Sequence, residues 1–162
     1  MKKSIFGALA VILPLIALSQ QPRKWDKRPM SEFRNDTIEY IKHNFRDEDM
    51  DMKEYFKGKT IGEIIPELGF KVKYISALGM SEITGMVFVA IGRGNRNGTF
   101  TTANGIIVIF ATPISAQSNP AAYNKLDARL GYVPFTKELL DLIKDMKVKS
   151  IAEIEEDTVV RN

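Results

Sequence analysis

The chain has 162 residues, of which 23 are lysine or arginine, 20 are aspartate or glutamate, and none is cysteine. The lack of cysteine excludes disulfide bonds, thiolate metal sites and a lipid anchor on an N-terminal cysteine. Stability must therefore come from packing alone, and a chain of this length is expected to form one hydrophobic core.

The first 19 residues have the layout of a secretory signal peptide. A basic start precedes an apolar run over residues 5–18, which is shorter than the roughly 20 residues that a membrane-spanning helix needs. The small residues Ala17 and Ser19 suit a signal peptidase and predict a mature start at Gln20. We therefore expect a periplasmic or secreted protein with no stable membrane span after cleavage. An uncleaved membrane anchor is the alternative.

The charge balance changes once this leader is removed. Two basic residues, Lys2 and Lys3, lie in it, so the mature chain has 21 basic residues against 20 acidic ones. A nearly neutral domain lacks the broad positive surface that nucleic-acid binding normally requires. We expect no nucleic-acid partner, and the chain's partner is predicted to be an unidentified protein or small molecule.

Residues 20–30 hold two prolines, four basic residues and Trp25 without a periodic pattern, which predicts a flexible N-terminal arm. The arm could instead fold back onto its own domain, or contact a partner through Trp25 and its basic side chains. Residues 31–162 are expected to form a single globular domain.

Periodic apolar residues predict three helices, at 31–45, 60–68 and 136–146. Ser31 or Asp36 could cap the first of them. In the second, Thr60 and Glu63 have the spacing of a capping box, and Pro66 should keep the helix short or bent. A further brief helix is expected within 121–130.

Alternating or continuous apolar residues predict strands at 70–76, 83–92, 105–112 and 147–154. The second and third are rich in β-branched residues and should be central, whereas the last should lie at an edge. The order of the elements favours the α+β class over alternating βαβ units. We predict a small, mostly antiparallel sheet of three to five strands, with two or three helices packed on one face.

The run GRGNRNGTFTTANG, residues 92–105, lies between the two central strands. Its glycines lack the spacing of a dinucleotide-binding or Walker-type loop, and strand-like residues follow it where a helix would be needed. Asn97-Gly98 and Asn104-Gly105 are instead typical of tight turns. We predict one long hairpin that turns near 94–98, and a meander with a second turn at 104–105 is the alternative.

The turn also contains the candidate binding residues Arg93, Arg96 and Asn97, which could bind an anion. A solvated hairpin tip is the competing interpretation, because glycine, asparagine and arginine are also what an exposed turn contains.

Asp47, Asp49 and Asp51 have the alternating spacing of calcium ligands in an EF-hand loop. The loop departs from that motif at its sixth position, where Met52 replaces glycine, and at its twelfth, where Gly58 replaces a bidentate carboxylate. Only an irregular calcium site made from the three aspartates is compatible with the sequence, and an ordinary acidic loop is the alternative.

No catalytic set can be assembled from motifs. His43 is the only histidine, so zinc sites of the histidine and cysteine type are excluded and no serine elbow accompanies it. No cofactor is expected. A pair of carboxylates could still converge in space and hydrolyse a substrate, with candidates Asp47, Glu48, Asp51, Glu63, Glu67 and Asp127.

These observations lead to a hypothesis of an exported, non-enzymatic binding or protein-interaction module. The alternative is a secreted, carboxylate-dependent hydrolase, with or without help from calcium. A structural subunit that assembles with copies of itself is a third hypothesis.

Overall fold

The computed structural model describes residues 25–94, 100–126 and 131–156. A 3-10 helix covers Met30–Phe33. Five α-helices follow in the described residues: α1 Thr37–Asn44, α2 Met50–Phe56, α3 Ile61–Glu67, α4 Pro120–Lys125 and α5 Lys137–Ile143. The strands are β1 Tyr74–Leu78, β2 Ile83–Gly94, β3 Phe100–Ile114, β4 Val133–Pro134 and β5 Val148–Glu156.

The five strands form one antiparallel sheet in the order β4-β1-β2-β3-β5. The predicted α+β class is therefore confirmed, although more helices are present than the two or three expected. Each is short, at six to eight residues, because every one begins at a local side-chain cap and soon meets a turn.

The first predicted helix, 31–45, is divided in two. Arg34 and Asn35 adopt positive φ angles of 53° and 63°, which ends the 3-10 helix. Asp36 then caps α1 by accepting hydrogen bonds from the backbone N–H groups of Ile38 and Glu39. Ser31, the other candidate cap, lies inside the 3-10 helix.

The capping box of α3 forms as predicted. The Thr60 hydroxyl accepts a hydrogen bond from the backbone N–H of Glu63, and the Glu63 carboxylate accepts one from the backbone N–H of Thr60. Pro66 lies inside the helix, which ends at Glu67. Gly69 then turns the chain with a φ of 76°.

Strands β2 and β3 pair as one long antiparallel hairpin. Asn104 and Gly105 lie within β3, where Gly105 pairs with Val89, so the meander with a turn at 104–105 is wrong. A Cβ at Gly105 would overlap the main-chain oxygen of Phe88. Glycine is thus required at this position because two strands approach each other closely. In the sequence, a glycine needed for such an approach looks the same as a glycine needed for a turn.

The main core lies between the helices and one face of the sheet, and it takes buried residues from every described α-helix. Trp25 belongs to this core with only 7% of its surface exposed. Its ring centroid lies 4.8 Å from that of Phe56 and 5.2 Å from that of Phe45. Residues 25–29 of the N-terminal arm therefore fold back onto their own domain, which is one of the arrangements compatible with the sequence. Residues 20–24 lie outside the described part.

The edge strand β5 is covered along its free side by backbone from the helical segment. The N–H of Glu153 donates to the oxygen of Phe45, and Val148 exchanges hydrogen bonds with Gly58 and Lys59. At the other edge, β4 has only two residues. Both edges are therefore protected against pairing with another chain.

Within the described ranges, no helix has the length and apolar character needed to cross a bilayer.

Candidate functional site

The three aspartates predicted to bind calcium have different structural roles. Asp49 is the N-cap of α2, where its carboxylate accepts a hydrogen bond of 2.9 Å from the backbone N–H of Met52. Asp47 forms an ion pair of 2.7 Å with Lys53. Across residues 25–94, 100–126 and 131–156, no three histidine or acidic residues, Asp51 included, are grouped closely enough to hold a metal ion.

The predicted anion-binding residues lie at the hairpin tip, which the structure describes only in part. Arg93 is in β2, where its backbone pairs with that of Thr102. Arg96 and Asn97 lie outside the described residues. The proposal that these three residues hold an anion therefore stays a prediction.

Two of the carboxylates named as hydrolase candidates, Glu63 and Glu67, are engaged by groups other than a second carboxylate. Glu63 completes the capping box of α3, and these hydrogen bonds to Thr60 lower the pKa of its carboxyl. Glu67 binds the ammonium group of Lys59 through both carboxylate oxygens, at 2.9 and 3.0 Å. Asp127 lies outside the described residues.

The Lys59–Glu67 pair belongs to a network that ties the N-terminal segment to α3. The ammonium group of Lys59 lies 3.5 Å from the centre of the Tyr55 ring. Partial burial acts to lower the pKa of Lys59, but its hydrogen bonds to Glu67 and Tyr55 together raise it. Lys27 donates to the main-chain oxygen of Glu67, and partial burial lowers its pKa. Each charged group in this network has a partner, so we interpret the network as one that stabilises the fold.

His43 packs its half-buried ring against Phe33, with the centroids 5.3 Å apart. Neither an acidic group nor a serine contacts it through a hydrogen bond that the structure shows. The contact with Phe33 indicates that His43 contributes to packing.

A concave groove opens where α3, the segment before β1 and the start of α5 meet. Its volume is about 330 Å³. Its lining residues come from these three segments: Ile65, Phe70, Lys71, Val72, Phe135, Thr136, Lys137 and Leu140. Ligand pockets span roughly 300–1,000 Å³, so the groove is large enough for a small molecule.

Long-range backbone hydrogen bonds hold the walls of the groove in place. The N–H of Gly62 donates a 2.8 Å hydrogen bond to the oxygen of Lys144, which fixes α3 against the end of α5. The N–H of Phe135 donates to the oxygen of Lys73, and the Phe135 ring packs edge-on against Phe88. These hydrogen bonds tie α3 to α5, and they join the two irregular segments, 70–73 and 135–136, that supply most of the lining.

Five of the eight lining side chains are apolar, and the polar ones include no acid or base suited to proton transfer near neutral pH. The Thr136 hydroxyl is engaged as the cap of α5, since it accepts from the N–H of Leu139. Lys71 and Lys137 are exposed, and neither forms a salt bridge with another described residue. The groove can therefore hold an apolar group beside two positive charges that form no salt bridge within the described part of the chain.

A second concavity, of about 470 Å³, lies at the start of α1. Its lining is mostly charged: Glu32, Phe33, Arg34, Asp36 and Glu39. The carboxylate of Asp36 is engaged as the helix cap. Glu32 and Glu39 remain as a pair of acidic side chains on one concave surface, a pair that the sequence did not single out.

The sheet face opposite the main core is also apolar. It carries a separate cluster in which Val87, Val89 and Ala103 are buried among half-buried neighbours. Those neighbours are Tyr74, Leu78, Ile107, Tyr132 and Ile154. No described α-helix contributes a residue to this cluster, which agrees with the prediction that the helices pack on one face.

Comparisons of the chain with protein-family models, with curated proteins and with solved structures gave no significant match.

The groove was not predicted from sequence, although some of its parts were. Phe70 and Val72 were predicted to lie in a strand, but β1 begins only at Tyr74, whereas Leu140 was correctly placed in an amphipathic helix. The only signal that could have indicated the site is the position of Lys71 and Lys137 near apolar residues in their own segments. That signal has no meaning until the two segments are known to be adjacent.

Proposed function

We propose that the protein is an exported, non-enzymatic binding module that takes a small apolar ligand in the groove between α3 and α5. The chemistry of the lining carries this proposal. Five apolar side chains face the groove, and none of the eight lining residues is a carboxylate, a histidine or a cysteine. Such a surface can bind and orient a molecule but offers no general acid or base for turnover at neutral pH.

The affinity would come mainly from burial of apolar ligand surface, at roughly 25 cal/mol per Å² removed from water. Ile65 and Leu140 present aliphatic side chains from the two helices, and Phe70 and Phe135 add aromatic rings. Because the walls are fixed by backbone hydrogen bonds, little ordering of the protein should be needed on binding.

Export is the second part of the proposal and is supported by the pattern of residues 1–19. Intact-mass spectrometry of the native protein tests it. A mature chain beginning at Gln20 is expected, and a native protein that retains Met1 would contradict export by cleavage.

The binding proposal is tested with N-phenyl-1-naphthylamine, an uncharged dye that fluoresces in apolar surroundings. Saturable one-to-one binding is expected, and the dye should be recovered chemically unchanged. The variant Leu140→Gln places a polar amide in the groove and should weaken binding about tenfold or more, since burying an unpaired amide costs about 1–3 kcal/mol.

Leu142→Gln is the matched control, because Leu142 is also half-buried in α5 but does not line the groove. It should bind the dye as the unmodified protein does. Fluorescence of the single tryptophan, Trp25, verifies that each variant is folded. Equal loss of dye binding in both folded variants, or no loss in either, would reject the groove as the site.

The alternative function, a secreted hydrolase that uses carboxylates, is favoured by one observation: Glu32 and Glu39 line the same concavity at the start of α1. Turnover of esterase, glycosidase or phosphatase substrates that is abolished by Glu32→Gln or Glu39→Gln would support it. No turnover on such a panel is the result that the binding proposal expects.

A further inference from the structure

The distribution of charge around the groove bears on which ligands it prefers. Lys71 precedes the buried Val72, and Lys137 is the first residue of α5. Both lysines are exposed and line the groove without a salt bridge to any described residue. Two positive charges with no salt-bridge partner among the described residues therefore border the apolar groove.

The nearest acidic residue in sequence does not neutralise these charges. Glu138 follows Lys137, but it does not line the groove. Its carboxylate is held at the start of α5 by its own backbone N–H and by the hydroxyl of Thr136, and these hydrogen bonds lower its pKa. Glu67, two residues beyond the lining residue Ile65, is bound by both oxygens to Lys59. The lining itself contains no negative charge.

We propose that the groove binds a single-chain amphiphile with an anionic headgroup, of which a medium-chain fatty acid is the simplest member. The chain would lie among Ile65, Phe70 and Leu140, and the headgroup would meet Lys71 and Lys137 at the solvent boundary. This inference rests on the proposed binding function and specifies its ligand class.

Size and charge both narrow that class. A volume of about 330 Å³ is at the lower end of the range for ligand pockets, which favours a medium-length chain over a long one. Lysine presents a point charge rather than the planar fork of arginine. The groove should therefore select for negative charge more than for one particular headgroup geometry, and carboxylate and phosphate headgroups should both be accepted.

The experiment compares three probes with the same eight-carbon chain: octanoate, octanol and octylammonium. Their affinities are measured near neutral pH, where carboxylates are ionised and lysines are protonated, by displacement of N-phenyl-1-naphthylamine. We expect octanoate to bind roughly three- to tenfold more tightly than octanol, as exposed ion pairs contribute modestly, and octylammonium to bind most weakly. The preference for octanoate should shrink as salt is added. Octyl phosphate should behave as octanoate does.

The double variant Lys71→Gln/Lys137→Gln should lose the preference and bind octanoate no better than octanol. The control variant, Lys147→Gln/Lys149→Gln, removes the same charge from exposed lysines that do not line the groove. It should retain the preference for octanoate.

The outcomes separate this inference from the proposed function. If the dye and all three probes bind with no preference for octanoate, or if the control variant loses the preference equally, the inference is wrong and the apolar binding function stands. If neither the dye nor any probe binds, both are wrong.

Discussion

The hydroxyl of Tyr40 donates a hydrogen bond of 2.8 Å to the main-chain oxygen of Leu68, and both residues are fully buried. The bond joins the centre of α1 to the residue that follows α3. Directly beyond it, Gly69 turns the chain towards Phe70 and the floor of the groove. This contact therefore connects the helical layer to the segment that forms the candidate site.

Replacing Tyr40 with phenylalanine should lower the free energy of unfolding by about 1–3 kcal/mol, because a buried acceptor loses its donor. Urea denaturation followed by Trp25 fluorescence measures this loss. Tyr123→Phe is the control, since the Tyr123 hydroxyl makes a longer bond, 3.4 Å to the oxygen of Met80, in an exposed position. Tyr123→Phe should lower the free energy of unfolding by less than about 0.5 kcal/mol. Equal losses of unfolding free energy in the two variants would contradict the expectation that the buried hydrogen bond contributes more to stability than the exposed one.

Alkaline pH should destabilise the protein through the same side chain. Burial raises the pKa of Tyr40 to about 12, above its ordinary value of 10.0. The folded state then keeps the phenol proton that the unfolded chain has already lost, so stability is intact below pH 10.0 and falls as the pH rises towards the folded-state pKa.

The size of this effect is limited to about 1.4 kcal/mol per pH unit for a single group. Other residues also titrate in this range, so the measurement is the difference in unfolding free energy between the unmodified protein and Tyr40→Phe. That difference should shrink with rising pH. A difference that stays constant across the window would contradict a raised pKa of Tyr40.

Gly69→Ala should be more harmful than Gly58→Ala. Both glycines have positive φ angles, 76° and 82°, so each substitution introduces backbone strain of roughly 1–2 kcal/mol. A Cβ at Gly58 has no atom within 4 Å, whereas one at Gly69 would overlap the hydroxyl of Tyr40. We expect Gly69→Ala to cost about 1–3 kcal/mol more than Gly58→Ala. Thermal unfolding of the two variants in parallel checks this order, and equal losses would refute it.

Asp49→Ala should reduce stability by about 1 kcal/mol through loss of the α2 cap. The loss should be the same with and without millimolar calcium, because the carboxylate serves the backbone N–H of Met52. Asp49→Asn is the control, since asparagine caps helices as well as aspartate does. A melting temperature that rises with calcium, together with a loss of that rise in Asp49→Ala, would instead support the calcium site predicted from sequence.

Predictions from sequence succeeded where the cause of a structure lies within a few residues. The capping box of Thr60 and Glu63 depends on atoms three residues apart, and the strand character of 83–92 depends on its own β-branched side chains. They failed where a local signal was ambiguous. The aspartates at 47–51 resemble metal ligands in spacing, but a carboxylate at Asp49 can equally begin a helix, and α2 was missed for this reason.

The sequence by itself therefore determined the α+β class, the central hairpin and most of the helix starts, because caps, turns and hydrophobic periods act over short distances. The tertiary structure alone decided that Trp25 belongs to the core and that Gly105 is a point of close strand contact. It also decided that Lys71 and Lys137, which are 66 positions apart in the chain, border one apolar groove. Such relationships depend on which distant segments pack together, and that choice is made by the free energy of the whole core rather than by any single stretch of residues.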